Sequence, residues 1–346
     1  MTNYKSKLII IGIIILLGLY ICKKKVENNY LFFTILGYIL LVVLFLLFYF
    51  YTNFIEKGRA EECLITSKPL IVQSKILPVE KAKPMLLSKP FDEFIISTSH
   101  NTYLPCTQNG DIVSTDAITN ALKLGARVIE LDVFAKNNLG NTPDDSIPVV
   151  THGIELSTGD IFTTGFIYFK DCIQAIKNFA STTLDPIWID IELNTNNEQT
   201  QSIMRQILLE NFSTKILDKK FKISNRNKHF SSEPIGNLLN KIILTTSKSP
   251  NSITKYLTDI FDSYAGDGYY TNNSSDDLNK ISRGKINRVF PSGNIYGNFS
   301  YNFDPEPFWK KRIQLVALNF QKTDNNFIKN IKMFNTCSFI HFSELD

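Results

Sequence analysis

The sequence predicts an α/β fold, a (β/α)8 TIM-type barrel preceded by N-terminal transmembrane helices. Two long apolar runs at the amino terminus indicate the helices, and a repeating order of short β-branched runs and amphipathic stretches after residue 90 indicates the barrel. Ionisable residues that follow the strand-like runs indicate a site at one end of that barrel. With 346 residues, of which 44% are hydrophobic, the chain is long enough for one large domain and an appendage.

The first predicted element is a membrane anchor at residues 1–56. An uncharged run extends over Leu31–Ile55 and, at a rise of about 1.5 Å per residue, is long enough to cross the ~30 Å hydrocarbon core of a bilayer. The aromatic group Tyr49–Tyr51 falls where an interfacial belt is expected. This run is therefore predicted to be a transmembrane helix.

A shorter apolar run, Leu8–Cys22, comes first and is followed by the basic group Lys23–Lys25. It is either a second span, whose flanking lysines reach the membrane interfaces, or a signal sequence. We favour a hairpin of two spans, because no small-residue cleavage site follows Tyr20. The expected localisation is a membrane, with two N-terminal spans, and the flanking charges decide neither the membrane nor the orientation.

Residues 57–89 form the next predicted segment, a linker. They carry Pro69, Pro78 and Pro84 among short apolar patches, a composition typical of a connecting segment with at most one short strand or helix. The folded domain is therefore expected to begin near Lys89.

Composition and charge exclude several classes of function. The net charge of +4 is spread over interleaved acidic and basic residues, so no surface dedicated to nucleic acid is indicated. The five cysteines are scattered without CxxC spacing, which argues against a zinc site and against a paired disulfide framework. A protein that acts at a membrane surface is compatible with this composition.

Alternating strands and helices make up the predicted domain. Strands are predicted at 94–96, 127–134, 147–151, 186–193 and 241–245, and helices at 115–124, 169–180 and 198–211. Thr115 and Asp116 are the expected caps of the first helix, and Gly125 its stop. The strands are apolar on both faces, as a parallel sheet covered by helices requires. An open doubly wound sheet and a closed barrel both fit, but no Gly-rich phosphate loop follows the first strand, which favours the barrel.

Ionisable side chains lie at the carboxyl ends of the predicted strands. They are His100 after the first strand, Glu130 and Asp132 in the second, His152 after the third and Glu192 in the fourth. The carboxyl ends of barrel strands converge on one face, so these side chains are expected to share a pocket. A carboxylate inside an apolar strand is costly unless it is paired or bound to metal, so Glu130, Asp132 and Glu192 together favour a cation site.

Several segments of the chain, in their order and spacing, carry a family resemblance. The segments STSHNTYL, ALKLGARVIELDVF, PVVTHG and IWIDIELN resemble the X half of the catalytic barrel of eukaryotic-type phosphoinositide-specific phospholipase C. The segment INRVFPSGNIYGNFSYNFDPEPFWKKRIQLVALNFQ resembles the Y half. The resemblance implies an X half at 90–245, a linker at 246–284 and a Y half at 285–346, without the accessory domains usual in the family.

The resemblance also implies an activity, the calcium-dependent cleavage of phosphatidylinositol lipids. The inositol 2-hydroxyl would attack its neighbouring phosphorus, diacylglycerol would leave, and water would open the cyclic phosphodiester to give inositol phosphate. By position in the matching segments, the catalytic histidines are His100 and His152, and the Ca²⁺ ligands are Asn101, Glu130, Asp132 and Glu192. His100 would donate to the phosphoryl oxygen, and His152 would protonate the departing glycerol oxygen. Glu130 or Glu192 would accept the 2-hydroxyl proton.

Substrate contacts are implied at Arg288, Phe290 and Lys248. Relatives that prefer polyphosphorylated inositol carry two lysines where this chain has Thr245 and Ser247, so the resemblance implies weak recognition of ring phosphates. Phe290 stands where a tyrosine is expected to stack on the inositol ring. The implied partner is a membrane phosphoinositide, and neither nucleic acid nor a protein partner is indicated.

Two alternatives stay open on the sequence alone. One is a metal-independent phospholipase C or a glycerophosphodiesterase on the same barrel, against which the three carboxylates argue. The other is a membrane-tethered phosphoinositide-binding protein without turnover, against which the intact His100 and His152 argue.

Overall fold

This computed structural model describes a few residues between 37 and 47 and most of the chain from residue 76 onward. The described residues are 37, 39–44, 46–47, 76–105, 113–136, 146–155, 161–163, 165–217, 230–246, 256–261, 268–271, 286–291 and 301–345. The chain divides into two compact units, Met1–Arg59 and Ala60–Asp346.

The second unit is built from short strands that alternate with helices. The strands are β1 (Phe94–Ser99), β2 (Val128–Ala135), β3 (Pro148–Val150), β4 (Ile154–Glu155), β5 (Ile161–Phe162), β6 (Ile167–Tyr168), β7 (Ile187–Leu193), β8 (Ile242–Thr246), β9 (Gly268–Thr271), β10 (Asn287–Phe290), β11 (Leu315–Leu318) and β12 (Phe339–His341). The helices are α1 (Val79–Ala82), α2 (Thr115–Lys123), α3 (Phe169–Ala180), α4 (Glu198–Phe212), α5 (Glu306–Lys310) and α6 (Asn325–Met333).

Seven of the strands pair in parallel around a circle that follows the order of the chain. β1 pairs with β2, β2 with β7, and β7 with β8. On the other side β9 pairs with β10, β10 with β11, and β11 returns to β1. Within the described residues no ladder joins β8 to β9, so the circle has one gap there. The order of the strands is that of the predicted barrel, and the described residues supply seven parallel strands of the eight in a regular barrel.

The strand before His152 differs from its predicted setting in a parallel series. β3 pairs antiparallel with the last residues of β2, with Val150 opposite Val133. β2 extends past the point where its pairing with β7 ends, and its last residues are free to pair with a returning segment. The Thr151 N–H donates to the Asp132 carbonyl oxygen at 3.3 Å, so His152 reaches the barrel mouth from this antiparallel extension. The prediction of a third parallel strand here is wrong.

The helices cover the outer face of the sheet because their apolar residues recur at helical spacing. One hydrophobic cluster joins Ile118 of α2 and Ile173 of α3 to the outward side chains Ile129 and Ile189 of β2 and β7. Side chains that accept backbone N–H groups cap α2, α4 and α6. Ser114 Oγ accepts from the Asp116 N–H at 3.0 Å, so the cap of α2 is Ser114 rather than the predicted Thr115 or Asp116.

The segment that precedes β1 packs against the amino-terminal ends of the strands. Val79 of α1 is fully buried in a hydrophobic cluster that also contains Trp188. The Val79 N–H donates to Asp185 Oδ1 at 2.7 Å, and Asp185 Oδ2 accepts from Arg127 Nε at 2.7 Å. Both charged side chains are buried, so each satisfies the other. The folded part of the chain therefore begins before Lys89, within the predicted linker.

The first compact unit contains a helical stretch at residues 39–44. Leu40, Leu41 and Leu44 are between 54% and 68% exposed there. No helix within the described part of the chain combines the length and the apolar character that crossing a bilayer requires. The predicted span 8–22 and most of the predicted span 31–55 lie outside the described residues.

Candidate metal centre and active site

Acidic side chains on β2 and β7 form two layers inside the barrel mouth. The parallel register places Glu130 opposite Asp190 and, two residues farther along, Asp132 opposite Glu192. Residues two apart on a strand share a face, so all four carboxylates lie on one side of the sheet. Oxygen atoms of Glu130, Asp132 and Glu192 lie within 4.8 Å of one another. The sequence placed these three at one site, and the structure brings them together.

This carboxylate cluster suits a hard divalent cation. Glu130 and Asp132 are buried and Glu192 is half-buried, so the three negative charges repel one another with little screening by solvent. All the available ligand atoms are oxygens, which Ca²⁺ prefers at distances of about 2.3–2.6 Å. A cation among them would remove the repulsion that the cluster otherwise carries.

The loop after β1 orients the cluster from the side. The Asn101 N–H donates to Glu130 Oε2 at 2.9 Å, and Asn101 adopts a left-handed backbone with φ of 44°, which asparagine tolerates better than most residues. Tyr103 donates its hydroxyl to Asp132 Oδ2 at 2.8 Å. Burial and the neighbouring Asp132 raise the pKa of Tyr103 well above its ordinary value, so this hydroxyl stays protonated and acts as a donor. Tyr103 was not predicted as a site residue.

His100 is held in one orientation by two neighbours. Its Nδ1 lies 2.9 Å from Asn319 Oδ1, and its ring stacks on Phe290 with 6.1 Å between ring centres. Because the amide oxygen is an acceptor, Nδ1 carries the proton, and Nε2 is left on the side of Glu130, at 3.8 Å from Oε2. The structure thus places His100 and Phe290 side by side, and the implied contact of Phe290 with the inositol ring stays a prediction.

Asn319 is a site residue that the sequence analysis missed. It is fully buried, and Asn302 fixes its backbone by accepting from the Asn319 N–H at 2.7 Å and donating to its carbonyl at 3.2 Å. The signal was present, since Asn319 directly follows the apolar strand β11. The rule that predicted His100, a polar residue at the carboxyl end of a barrel strand, would also have predicted Asn319.

Arg288 lies beneath the cluster, with its guanidinium between two carboxylates. Its Nη2 is 2.7 Å from Glu130 Oε1, and its Nη1 pairs with Asp190 Oδ2. Burial acts to raise the pKa of Glu130, but the charges of Arg288 and His100 and the Asn101 N–H outweigh it and lower that pKa. Burial raises the pKa of Asp190 to about 7 despite the attraction of Arg288. The predicted contact of Arg288 with substrate stays a prediction.

The remaining predicted site residues have different positions. Thr245 is buried in β8, opposite Asp190. His152 is half-buried beside the end of β2, as described above. Lys248 and Ser247 lie outside the described residues, and their predicted roles are untested.

The fold and the site together define the class of protein. A parallel β/α barrel whose carboxyl-terminal mouth holds clustered carboxylates beside an oriented histidine is typical of a metal-assisted barrel enzyme. Residues 87–248 match the family described as phosphatidylinositol-specific phospholipase C, X domain, and residues 241–341 match its Y domain. The chain belongs to the phosphatidylinositol-specific phospholipase C family.

Relatives of known name agree with this assignment. The chain is 27% identical over 330 residues to 1-phosphatidylinositol 4,5-bisphosphate phosphodiesterase 1 of Saccharomyces cerevisiae, which covers 73% of this chain and 36% of that protein. It is 31% identical over 121 residues to the human beta-2 phosphodiesterase of the same name, covering 35% of this chain and 9% of that protein. The chain thus spans about a third or less of these curated relatives.

Two solved structures share the fold. PLC21 of L. pealei superposes with a TM-score of 0.57 at 19% identity, over 74% of this chain and 37% of that one. A calcium-dependent phosphoinositol-specific phospholipase C from Pseudomonas sp. superposes with a TM-score of 0.50 at 14% identity, over 69% of this chain and 93% of that one. At these identities the likeness establishes the fold of the second unit.

The substitution Arg288→Met tests the electrostatics beneath the cluster. It leaves Glu130 and Asp190 adjacent without a cation, so we expect a loss of about 3–5 kcal/mol of unfolding free energy near pH 7.5. The folded-state pKa values of both carboxyls would then exceed their unfolded values, so stability falls as pH rises and part of it returns at pH 5. Urea unfolding of the variant in the presence of a chelator, at both pH values, measures this.

Arg205→Met is the matched control for this measurement. Its ion pair with Asp259 is partly exposed, and it should cost at most about 1 kcal/mol at either pH. An equal loss at pH 5 and pH 7.5 for Arg288→Met would show that Arg288 acts through packing rather than through charge.

Proposed function

We propose that this chain is a calcium-dependent phosphoinositide phospholipase C, which cleaves phosphatidylinositol lipids to diacylglycerol and inositol phosphate. The observation that carries the proposal is the cluster of Glu130, Asp132 and Glu192 at the barrel mouth, with His100 oriented beside it. The names of the relatives, phosphodiesterases of a phosphatidylinositol lipid and a calcium-dependent phospholipase C, support the reaction and the metal.

The residues of the cluster fit a calcium ion. Glu130, Asp132 and Glu192 would hold the ion, and Asn101, whose backbone already positions Glu130, would add an amide oxygen. When bound, calcium acidifies the inositol 2-hydroxyl and offsets negative charge on the phosphoryl oxygens. Burial of the carboxylates keeps bulk water away from the charges that develop during the reaction.

The proton transfers fall to the protein's own side chains. Glu192 is the better candidate than Glu130 to accept the 2-hydroxyl proton, because Arg288 and His100 lower the pKa of Glu130 and weaken it as a base. His100, fixed through Nδ1 by Asn319, would in its doubly protonated form offer its second proton, on Nε2, to a phosphoryl oxygen. His152 would protonate the glycerol oxygen as it leaves.

The two alternatives have less support from this geometry. A metal-independent phospholipase C or a glycerophosphodiesterase that holds its cation differently would have no use for three carboxylates converging within 4.8 Å. A binding protein without turnover would have no use for a histidine ring held by both Asn319 and Phe290.

The substitution His152→Ala tests the proposed chemistry. General acid assistance is typically worth about 10²–10⁴-fold in rate, so we expect turnover of phosphatidylinositol to fall at least about a hundredfold without unfolding. Release of labelled inositol phosphate from vesicles measures it. His341→Asn is the control, since His341 pairs with Glu93 at the other end of β1 and should leave turnover unchanged. A folded His152→Ala protein with a near-normal rate would remove His152 from the mechanism.

The substitution Glu192→Gln tests the proposed calcium site. Loss of one ligand charge should raise the calcium concentration needed for half-maximal activity, and should reduce the thermal stabilisation that calcium gives the full chain. Glu306→Gln, at an exposed carboxylate, should change neither value. An unchanged calcium requirement in Glu192→Gln would show that Glu192 is not a ligand.

We further propose that residues 1–56 anchor the chain in a membrane through two spans. The proposal is supported by the length of the apolar run Leu31–Ile55 and by the exposure of Leu40, Leu41 and Leu44. An anchor would hold the barrel close to its lipid substrate and raise the effective concentration of that substrate.

Deletion of residues 1–56 tests the anchor. The full chain should remain with membranes after alkaline carbonate washing, whereas the truncated chain should be released and should still cleave dispersed lipid. Sedimentation and the inositol phosphate assay, run on the same samples, measure both. Tight membrane association of the truncated chain would show that the barrel rim supplies most of the binding.

A further inference from the structure

Asp190 lies in the same layer as Glu130, one layer below Asp132 and Glu192, and on the same inward face of β7 as Glu192. Its side chain is 1% exposed, and the register places Glu130 on one side of it and Thr245 on the other. Neither the predicted site nor the proposed mechanism uses Asp190. Burying one carboxylate beside another costs stability. The role of Asp190 therefore lies in the groups that it binds.

Asp190 accepts the one hydrogen bond that the Thr245 hydroxyl can donate. Trp188 Nε1 donates to Thr245 Oγ1 at 2.7 Å, and Thr245 Oγ1 lies 3.0 Å from Asp190 Oδ1. A hydroxyl has one proton, and the indole already occupies its acceptor side, so the Thr245 proton is directed to Asp190. Thr245 therefore has no donor left for a group in the pocket above.

Asp190 also forms an ion pair with one of the two terminal nitrogens of Arg288. The Nη1 atom of Arg288 pairs with Asp190, the Nη2 atom with Glu130, and the side chain is 1% exposed. The guanidinium is therefore directed at two carboxylates and offers no free fork to a phosphate at the pocket. Asp190 thus binds the Thr245 hydroxyl of β8 and one of the two guanidinium arms of Arg288 of β10.

The charge of the pocket also disfavours a phosphate on the inositol ring. Among the described residues, the carboxylates of Glu130, Asp132, Asp190 and Glu192 face the guanidinium of Arg288 and the ring of His100. With one divalent cation bound and Asp190 ionised, these side chains and the cation sum to one negative charge, and a protonated His100 would bring that sum to zero. No excess positive charge is then left to attract a ring phosphate. A phosphate on the inositol ring would add about two more negative charges near neutral pH, in a buried setting where repulsion is weakly screened. Ring hydroxyls carry no such penalty.

We infer that Asp190 determines headgroup specificity by withholding Thr245 and Arg288 from ring phosphates. The substrate class is then phosphatidylinositol with an unphosphorylated ring. This inference rests on the proposed function, because it assumes that a phosphoinositide binds at the carboxylate cluster. Asp190 then excludes phosphorylated headgroups and takes no part in proton transfer.

The variant Asp190→Ser tests the inference. Phosphatidylcholine vesicles carry phosphatidylinositol, its monophosphate or its bisphosphate at equal surface density, and kcat/KM is measured for each lipid with the full chain. The native protein should favour the unphosphorylated lipid over the bisphosphate at least about tenfold, since a lost charge-assisted hydrogen bond has about that effect. Asp190→Ser should shift that ratio at least about tenfold toward the bisphosphate, whatever happens to the absolute rates.

Two controls separate specificity from stability. Asp185→Asn removes a buried carboxylate from Arg127, at the opposite end of the barrel, and should leave the ratio unchanged. A second variant, Thr245→Lys, should gain little on the bisphosphate while Asp190 is present to pair with the lysine, and should gain strongly in the Asp190→Ser background. An unchanged ratio in Asp190→Ser, or a native preference for the bisphosphate, would overturn the inference.

Competition with soluble headgroups covers the case in which Asp190→Ser does not fold. Inositol monophosphate should inhibit the native chain at lower concentration than inositol trisphosphate, and the reverse order would overturn the inference. If the native chain cleaves none of the three lipids, the proposed function fails instead. Its equilibrium binding to the same three vesicle types then still reports whether ring phosphates are rejected.

Discussion

The buried guanidinium of Arg288 is the interaction on which the rest of the site depends. It links β10 to β2 and β7 across the barrel interior and offsets two carboxylates that would otherwise lie side by side out of water. Removing charged groups from solvent is costly, and the attraction inside a low-dielectric interior offsets that cost only when the geometry is close. Glu130 can therefore stay ionised in the interior, where the proposed metal site needs a negative charge.

The site is assembled from residues of both the X domain and the Y domain. Glu130, Asp132 and Glu192 come from β2 and β7, whereas the partners that orient Glu130 and His100, namely Arg288 and Asn319, come from β10 and the end of β11. The ladder between β1 and β11 holds these contributions in register. A cut between the two parts that prevented their association would separate His100 from Asn319 and Glu130 from Arg288.

The amino-terminal ends of the strands contribute stability, and the carboxyl-terminal ends carry the residues of the site. The amino-terminal ends carry an apolar cluster around Trp188, sealed by Val79 and the buried Arg127–Asp185 pair. The carboxyl-terminal ends carry charged and polar groups that cost stability. Packing at one end therefore offsets the cost of a polar mouth at the other, as is usual for barrel enzymes.

The sequence by itself determined the α/β alternation, the positions of five of the strands and three of the helices, and the residues of the carboxylate cluster. It did so because hydrophobic periodicity is local, and because a carboxylate in an apolar strand is conspicuous wherever it occurs. The tertiary structure decided which groups pair across the barrel. The contacts of Arg288 with Asp190, of His100 with Asn319 and of β3 with β2 join residues far apart in the chain or set strand direction, and a local pattern contains neither distance nor direction.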